Sequence, residues 1–307
     1  MKPFSIYKIL VCVLFASTAS FGQQDPQYTQ YQYNPLTVNP GYAGSRGHLT
    51  ILTLYRSQWQ GIEGSPQTIT FGMDTPVGKF DGLGLSIIQD ELGPATETYI
   101  DGNYAHQLVL NSKGHRLGLG LKAGVRLFSL DFSKGLRREQ DDDAFNENIN
   151  GKVLPSVGVG AFFYSDKAYF GLSVPNLFPS EHFDSEIERR ADEEVHFNVI
   201  GGYVIDLNES LKFKPSFYVK QVIGAPVSVD VSGNFLLYEK LNLGVNYRWN
   251  DSVAGIFGLQ ISPQFNIGYA YDYTTSDLNN YNSGTHEIFL RYQFISRLNR
   301  LKSPRFF

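Results

Sequence analysis

The sequence predicts an all-β chain: a transmembrane, antiparallel up-and-down β-barrel of about 14 strands with an N-terminal coil segment. Two observations carry that expectation. A side-chain period of two runs through most of the chain, and it separates an apolar face from a polar one. After the leader, no stretch approaches the roughly 18 consecutive apolar residues of a membrane-spanning helix. The period is cleanest over residues 240–273, which read as three strands joined by very short connections. Leu241, Leu243, Val245, Tyr247 and Trp249 alternate with Asn242, Gly244, Asn246, Arg248 and Asn250. Val253, Gly255, Phe257, Leu259 and Ile261 form the next apolar face, and Phe265, Ile267, Tyr269, Tyr271 and Tyr273 the third. The apolar face turns aromatic near the strand ends, as at a membrane interface.

The other strands follow in order. Residues 49–58 form the first, with uneven alternation because Ile51, Leu52 and Leu54 fall on both faces. Residues 68–74 and the run marked by Leu83, Leu85 and Ile87 come next. Residues 98–107 put Ile100 and Tyr104 outward and Tyr99, Asp101 and Asn103 inward; residues 116–130 put Leu117, Leu119, Leu121 and Val125 outward. Then come 156–164, 168–174, a strand with Val195, Phe197, Val199 and Tyr203 outward, 211–220, 227–235, the three strands above and 286–294. An even count places both ends of the barrel on the periplasmic side. The connections at 165–167, 208–210, 238–240 and 262–263 are tight, whereas those at 131–152, 175–193 and 276–284 are long. The long ones share one side, the asymmetry of outer loops over periplasmic turns.

Composition agrees with a barrel wall. Mean hydropathy is −0.21, which resembles a soluble protein because only every second wall residue need be apolar. The chain holds 19 Tyr, 23 Phe and 30 Gly in 307 residues, and aromatic residues favour strands and membrane interfaces. A net charge of −4 without a basic stripe argues against nucleic acid as a partner. Cys12 is the only cysteine and lies in the leader, which excludes disulfides, Cys-ligated metals and Cys nucleophiles from the mature chain. A lipid anchor at Cys12 is disfavoured, because apolar residues continue after it.

Four segments are expected. Residues 1–22 read as a secretory signal peptide: Lys2 and Lys8, an apolar core at 9–16 and a small-residue exit at 17–22, with cleavage after Gly22. Residues 23–47 form a Tyr/Gln/Pro-rich coil, in which Pro35 and Pro40 oppose regular structure. That coil is either a disordered arm or an ordered element, a plug or a periplasmic arm anchored by its tyrosines. Its aromatic content favours order. Residues 48–295 make the barrel and 296–307 a basic periplasmic tail with Arg297, Arg300, Lys302 and Arg305.

The text QYTQYQYNPLTVNPGYAGSRG from Gln27, then YRSQWQGIEGSPQTITFGMDTPV from Tyr55, resembles the start of the PorP/SprF family of type IX secretion outer-membrane proteins. The ending SPRFF at 303–307 is similar to that family's usual ending. The resemblance spans essentially the whole mature chain. It implies a non-catalytic component of type IX secretion in the cell outer membrane, needed for secretion or surface anchoring of a large adhesin with a C-terminal sorting domain, in adhesion or gliding. The implied partners are outer-membrane lipid, that adhesin, and other secretion or periplasmic envelope proteins. The alternative is a passive porin or small-solute transporter.

No catalytic, cofactor or metal residues are assigned. There is no His-Glu-x-x-His, no Gly-x-Ser-x-Gly and no phosphate-binding loop. The Gly-x-Gly runs near Gly118 and Gly158 lie inside alternating strands and cannot open a helix toward a phosphate. Spacing leaves open a hydrolase built from a distant Ser and His, which no motif supports. The acidic run at 139–147 lacks the spacing of a calcium loop, and residues 184–194 begin with a capping-box pattern for a short helix. Lys122, Arg126, Lys212, Lys214, Lys220, Arg248 and Arg291 fall on polar faces. Facing lipid would cost each about 2–4 kcal/mol at mid-membrane, so they are expected to face the interior or sit near the rims, in a solvated or ion-paired lumen wall rather than an ion-selecting site. The inward glycines are expected to mark curvature and close packing.

Overall fold

The computed structural model describes residues 27–134, 148–178 and 195–295. The strands are β1 (Thr50–Ser57), β2 (Gln67–Val77), β3 (Asp81–Leu92), β4 (Ala95–Val109), β5 (Arg116–Leu130), β6 (Ile149–Tyr164), β7 (Ala168–Val174), β8 (His196–Tyr203), β9 (Ile205–Asp206), β10 (Leu211–Val222), β11 (Ser228–Leu237), β12 (Leu241–Arg248), β13 (Ser252–Gln260), β14 (Phe265–Thr274) and β15 (Thr285–Gln293). Apart from the short β9, each strand pairs antiparallel with the strands before and after it, β8 with β10, and β1 pairs with β15 from Thr50↔Gln293 to Ser57↔His286. That last ladder closes the ring. Strand β9 continues β8 beyond Val204 and pairs with the same partner, β10. The wall is therefore a closed barrel of fourteen strands with one short extra piece, and closure leaves no edge to satisfy within the membrane.

The two faces separate as the alternation requires. Leu121 and Val231 are 58% and 54% exposed on the outside of the ring, while Lys214 and Asp230 on the inside are fully buried. No helix among the described residues is long and apolar enough to cross a membrane.

Strand lengths differ from the sequence reading in one sector. Strand β6 starts at Ile149, not Ser156, and carries Pro155 inside it. Leu177 donates its N–H to the Val157 carbonyl, so Val157 and, by alternation, Pro155 direct their backbone groups toward the β7 side. The β6–β7 ladder covers only Val159–Tyr164. The missing N–H of Pro155 thus falls on an unpaired edge, where proline is tolerated. Strand β4 likewise begins at Ala95, just after Gly93, whose φ of +56° makes the tight turn from β3. Strands β3 to β6 consequently rise past the rest of the wall at the end that carries the long connections. The acidic run at 139–147 and the expected helix at 184–194 lie outside the described residues.

Candidate functional site: a filled lumen with an outward pocket

The lead-in lies inside the ring. Residues Thr29–Asn34 and Asn39–Arg46 are almost all buried, and their contacts trace a path down the lumen. Gln27 Nε2 donates to Ser228 Oγ at 2.7 Å and to Asp230 Oδ2 at 3.0 Å, at the end of β11 that carries the longer connections. The backbone N–H groups of Thr29 and Gln30 donate to Glu287 at 3.0 and 2.8 Å. Tyr31 packs on Tyr218 at 5.3 Å between ring centroids and reaches Ser216 and Ser232. Tyr33 packs on Phe289 at 4.5 Å and takes a hydrogen bond from Asn242. The segment then forms α1 (Pro35–Val38), with a proline at its start where the ring presets φ. A 3-10 turn, Pro40–Tyr42, follows against the opposite wall. The chain leaves for β1 at the end with short turns. From Gln27 the lead-in thus runs from the outer half of the lumen, although the barrel strands start and finish at the periplasmic end.

The wall is cut to receive this segment. A Cβ on Gly118 or Gly120 would strike the backbone of Gly41, one on Gly82 the backbone of Ala43, and one on Gly160 the Asn39 side chain. These inward glycines permit close backbone approach. Asn39 Nδ2 donates to the carbonyls of Ala161 and Leu172, both at 3.0 Å, while its Oδ1 accepts from Gly41 N at 2.8 Å. Gln107 Nε2 donates to the Ala43 carbonyl at 2.9 Å, and Gly44 N to Asp74 Oδ2 at 3.1 Å. Burial pushes the Tyr31 and Tyr42 hydroxyls up to about 12, so both stay neutral while packed in the core. Burial, then the charges of Arg46 and Arg291, hold the His48 imidazole down to about 4.

The seven inward cations predicted from the sequence all face away from lipid. Lys122 bonds Asp101 at 3.0 Å, and Arg248 bonds Asp230 at 3.0 Å and Asp251 at 3.1 Å. Arg126 lies over the Tyr99 ring at 4.7 Å and 3.9 Å from Glu97. Lys214 and Arg291 approach the Tyr33 ring at 5.7 and 5.6 Å. Lys212 meets Glu239 at 2.9 Å on the partly exposed periplasmic rim, and Lys220 is buried in the outer half.

Sequence reasoning missed Arg56. This side chain is 2% exposed, and it binds Asp272 at 3.1 Å, Glu287 at 2.9 Å and the Thr29 hydroxyl at 3.1 Å. The signal was present, because Arg56 shares its face with Thr50, Leu52 and Leu54. Those two leucines obscured it. They point inward and pack with Tyr28, Tyr33, Ile256, Ala270 and Phe289, so the apolar positions that spoiled the alternation of β1 are the lumen's contacts with the lead-in.

Outward of α1 lies a cavity of about 60 Å³, bounded by Tyr31, Tyr99, Lys122, Arg126, Asn198 and Lys220 among others. Among the described residues no three His, Cys, Asp or Glu side chains are grouped to hold a metal ion.

A closed antiparallel ring, apolar outside and filled within by its own lead-in, defines an outer-membrane β-barrel protein. The chain matches the family described as Type IX secretion system membrane protein PorP/SprF over residues 20–292, and it belongs to that family. Membership makes other components of type IX secretion its partners. No curated protein matches the sequence. Similar solved structures include the Acinetobacter baumannii outer membrane protein Omp33, at 8% identity and a TM-score of 0.48, over 80% of this chain and 98% of that one. A Pseudomonas aeruginosa FadL homologue is similar at 12% identity and a TM-score of 0.47, over 92% of this chain and 97% of that one. The CymD monoaromatic hydrocarbon channel is similar at 10% identity and a TM-score of 0.47, over 91% and 95%.

Proposed function

We propose that the protein is a non-catalytic outer-membrane component of the type IX secretion system that secretes or anchors a large surface adhesin with a C-terminal sorting domain, in adhesion or gliding. Family membership carries this reading. The filled lumen supports docking over conduction, because Tyr31, Tyr33 and Tyr42 occupy the interior together with α1. A passive solute channel would need that space. Residues 1–22 serve as the export leader in this reading, 48–295 as the barrel and 296–307 as a periplasmic tail. The outer loops and the outward half of the lumen meet the secreted partner, and the apolar outer face meets lipid.

A deletion strain tests the proposal. Surface labelling should show at least one sorting-domain adhesin lost from the envelope and restored by the plasmid-borne gene. Full display of every such adhesin in the deletion strain would remove it. In planar bilayers the purified protein should give no large, stable currents; porin-like conductance would favour the channel reading instead.

A further inference from the structure

Above the closed part of the ring, β6 presents an open strand edge. Its ladder with β7 stops at Val159↔Val174, while on the other side it stays paired with β5 as far as Ile149↔Leu130. The bond from Leu177 N–H to the Val157 carbonyl comes last on the β7 side. By alternation the Pro155 carbonyl and the Val153 N–H and carbonyl face the same way, and no described residue takes them. The edge ends at Gly151, whose φ is +62° and whose N–H turns back to Ser129 Oγ at 3.0 Å. What remains is a short row of main-chain acceptors and one donor, at the spacing an incoming strand matches.

Side chains narrow the occupant. Val153 is 60% exposed on the outside of the ring, Pro155 beside it is exposed, and their partners across β5 are Leu127 and Val125. A strand laid along this edge sets every second side chain beside that uncharged, apolar row. The chain's own continuation does not fit. Pro179, two residues past Leu177, has no N–H for the Pro155 carbonyl. Residues 180–194 hold seven carboxylates against two arginines and no apolar alternation.

We propose that β6 takes up one short strand of an exported polypeptide at this edge: an extended segment, apolar at alternate positions, held by main-chain hydrogen bonds to Val153 and Pro155. This is strand addition to a sheet edge. Pro155 cannot donate and Gly151 closes the far end, so the edge accepts a short strand and does not seed a growing sheet. That the strand comes from an exported partner rests on the docking role proposed above; the edge and its chemistry do not.

The test uses the full-length protein in nanodiscs and reads binding by calorimetry. The probe is a capped heptapeptide of alternating valine and threonine. N-methylation of its valines blocks one edge of the extended peptide, and N-methylation of its threonines the other. One methylated peptide should bind on the order of tenfold or more weaker than the parent and the other like the parent, since a single edge meets β6. Val153→Pro removes the donor of the edge and should weaken the parent peptide by a similar factor, whereas Val153→Thr keeps it and should bind within about threefold. Equal binding of all three peptides, equal loss with both methylated ones, or no binding at millimolar peptide overturns the proposal. A purified dimer that Val153→Pro dissociates, or peptide binding that begins only after residues 180–192 are deleted, also overturns it, because each gives the edge another occupant. The comparison of peptides on the unaltered protein holds even if a variant misfolds. Secretion is read separately in cells, so the strand edge and the secretion role can fail independently.

Discussion

Arg56 sits where three parts of the chain meet: β1, the acids of β14 and β15, and the lead-in. Its two carboxylate partners are buried, and Glu287 also accepts both N–H groups at the head of the lead-in. Arg56→Met keeps the length of the stem but leaves two acids without their cation. Removing one partner of a buried charge pair costs about 3–5 kcal/mol. Urea-driven unfolding in detergent micelles should show a loss of that order, and Asp272→Asn in the Arg56→Met background should recover part of it. Gly120 makes a steric counterpart. Gly120→Val puts a side chain into the backbone of Gly41, so limited proteolysis of folded barrels should cut residues 27–46 in the variant and spare them in the parent. His48 gives the pH dependence. Its ordinary value is 6.5 and burial lowers it to about 4, so between those values only the unfolded chain takes up the proton. Stability falls as pH drops through that window and is fully present above it. A His48→Gln variant should show a flatter stability profile between pH 6.5 and 4.

At the scale of elements, the wall and the lead-in differ in how they were written into the sequence. Strands β12 to β15 alternate so cleanly that their faces follow from residue type alone, and the inward cations follow from the same parity. The lead-in has no period; Pro35, Pro40 and the polar tyrosine-rich text rule out a strand without choosing between a plug and an arm. Its place in the lumen was signalled only indirectly. Gly82, Gly118, Gly120 and Gly160 read equally well as curvature positions, and Leu52 and Leu54 read as poor alternation. Residues 149–155 of β6 were not legible as strand: Pro155 is admissible there only beside an unpaired edge, and which edge is unpaired is a tertiary fact. Deleting residues 23–46 should not yield an open and stable porin. The deletion exposes Leu52, Leu54 and Phe289 to the lumen and strips Asp74 and Glu287 of backbone donors. The shortened barrel should lose its heat-modifiable gel mobility at a lower temperature than the parent.

For the whole molecule, the sequence by itself determined a lipid-facing wall, its approximate strand count, the inward placement of charge and the family. Those properties depend on side-chain parity and local text, which the chain carries residue by residue. Only the tertiary structure decided that the lumen is filled, that Gln27 lies in its outer half, and that Arg126, Asn198 and Lys220 face one pocket. These depend on which strands stand opposite one another across a closed ring. Pairing with a sequence neighbour fixes the order of strands around the wall. Contact across the lumen depends on barrel tilt and stagger and on the shape of a coil that has no repeat to read.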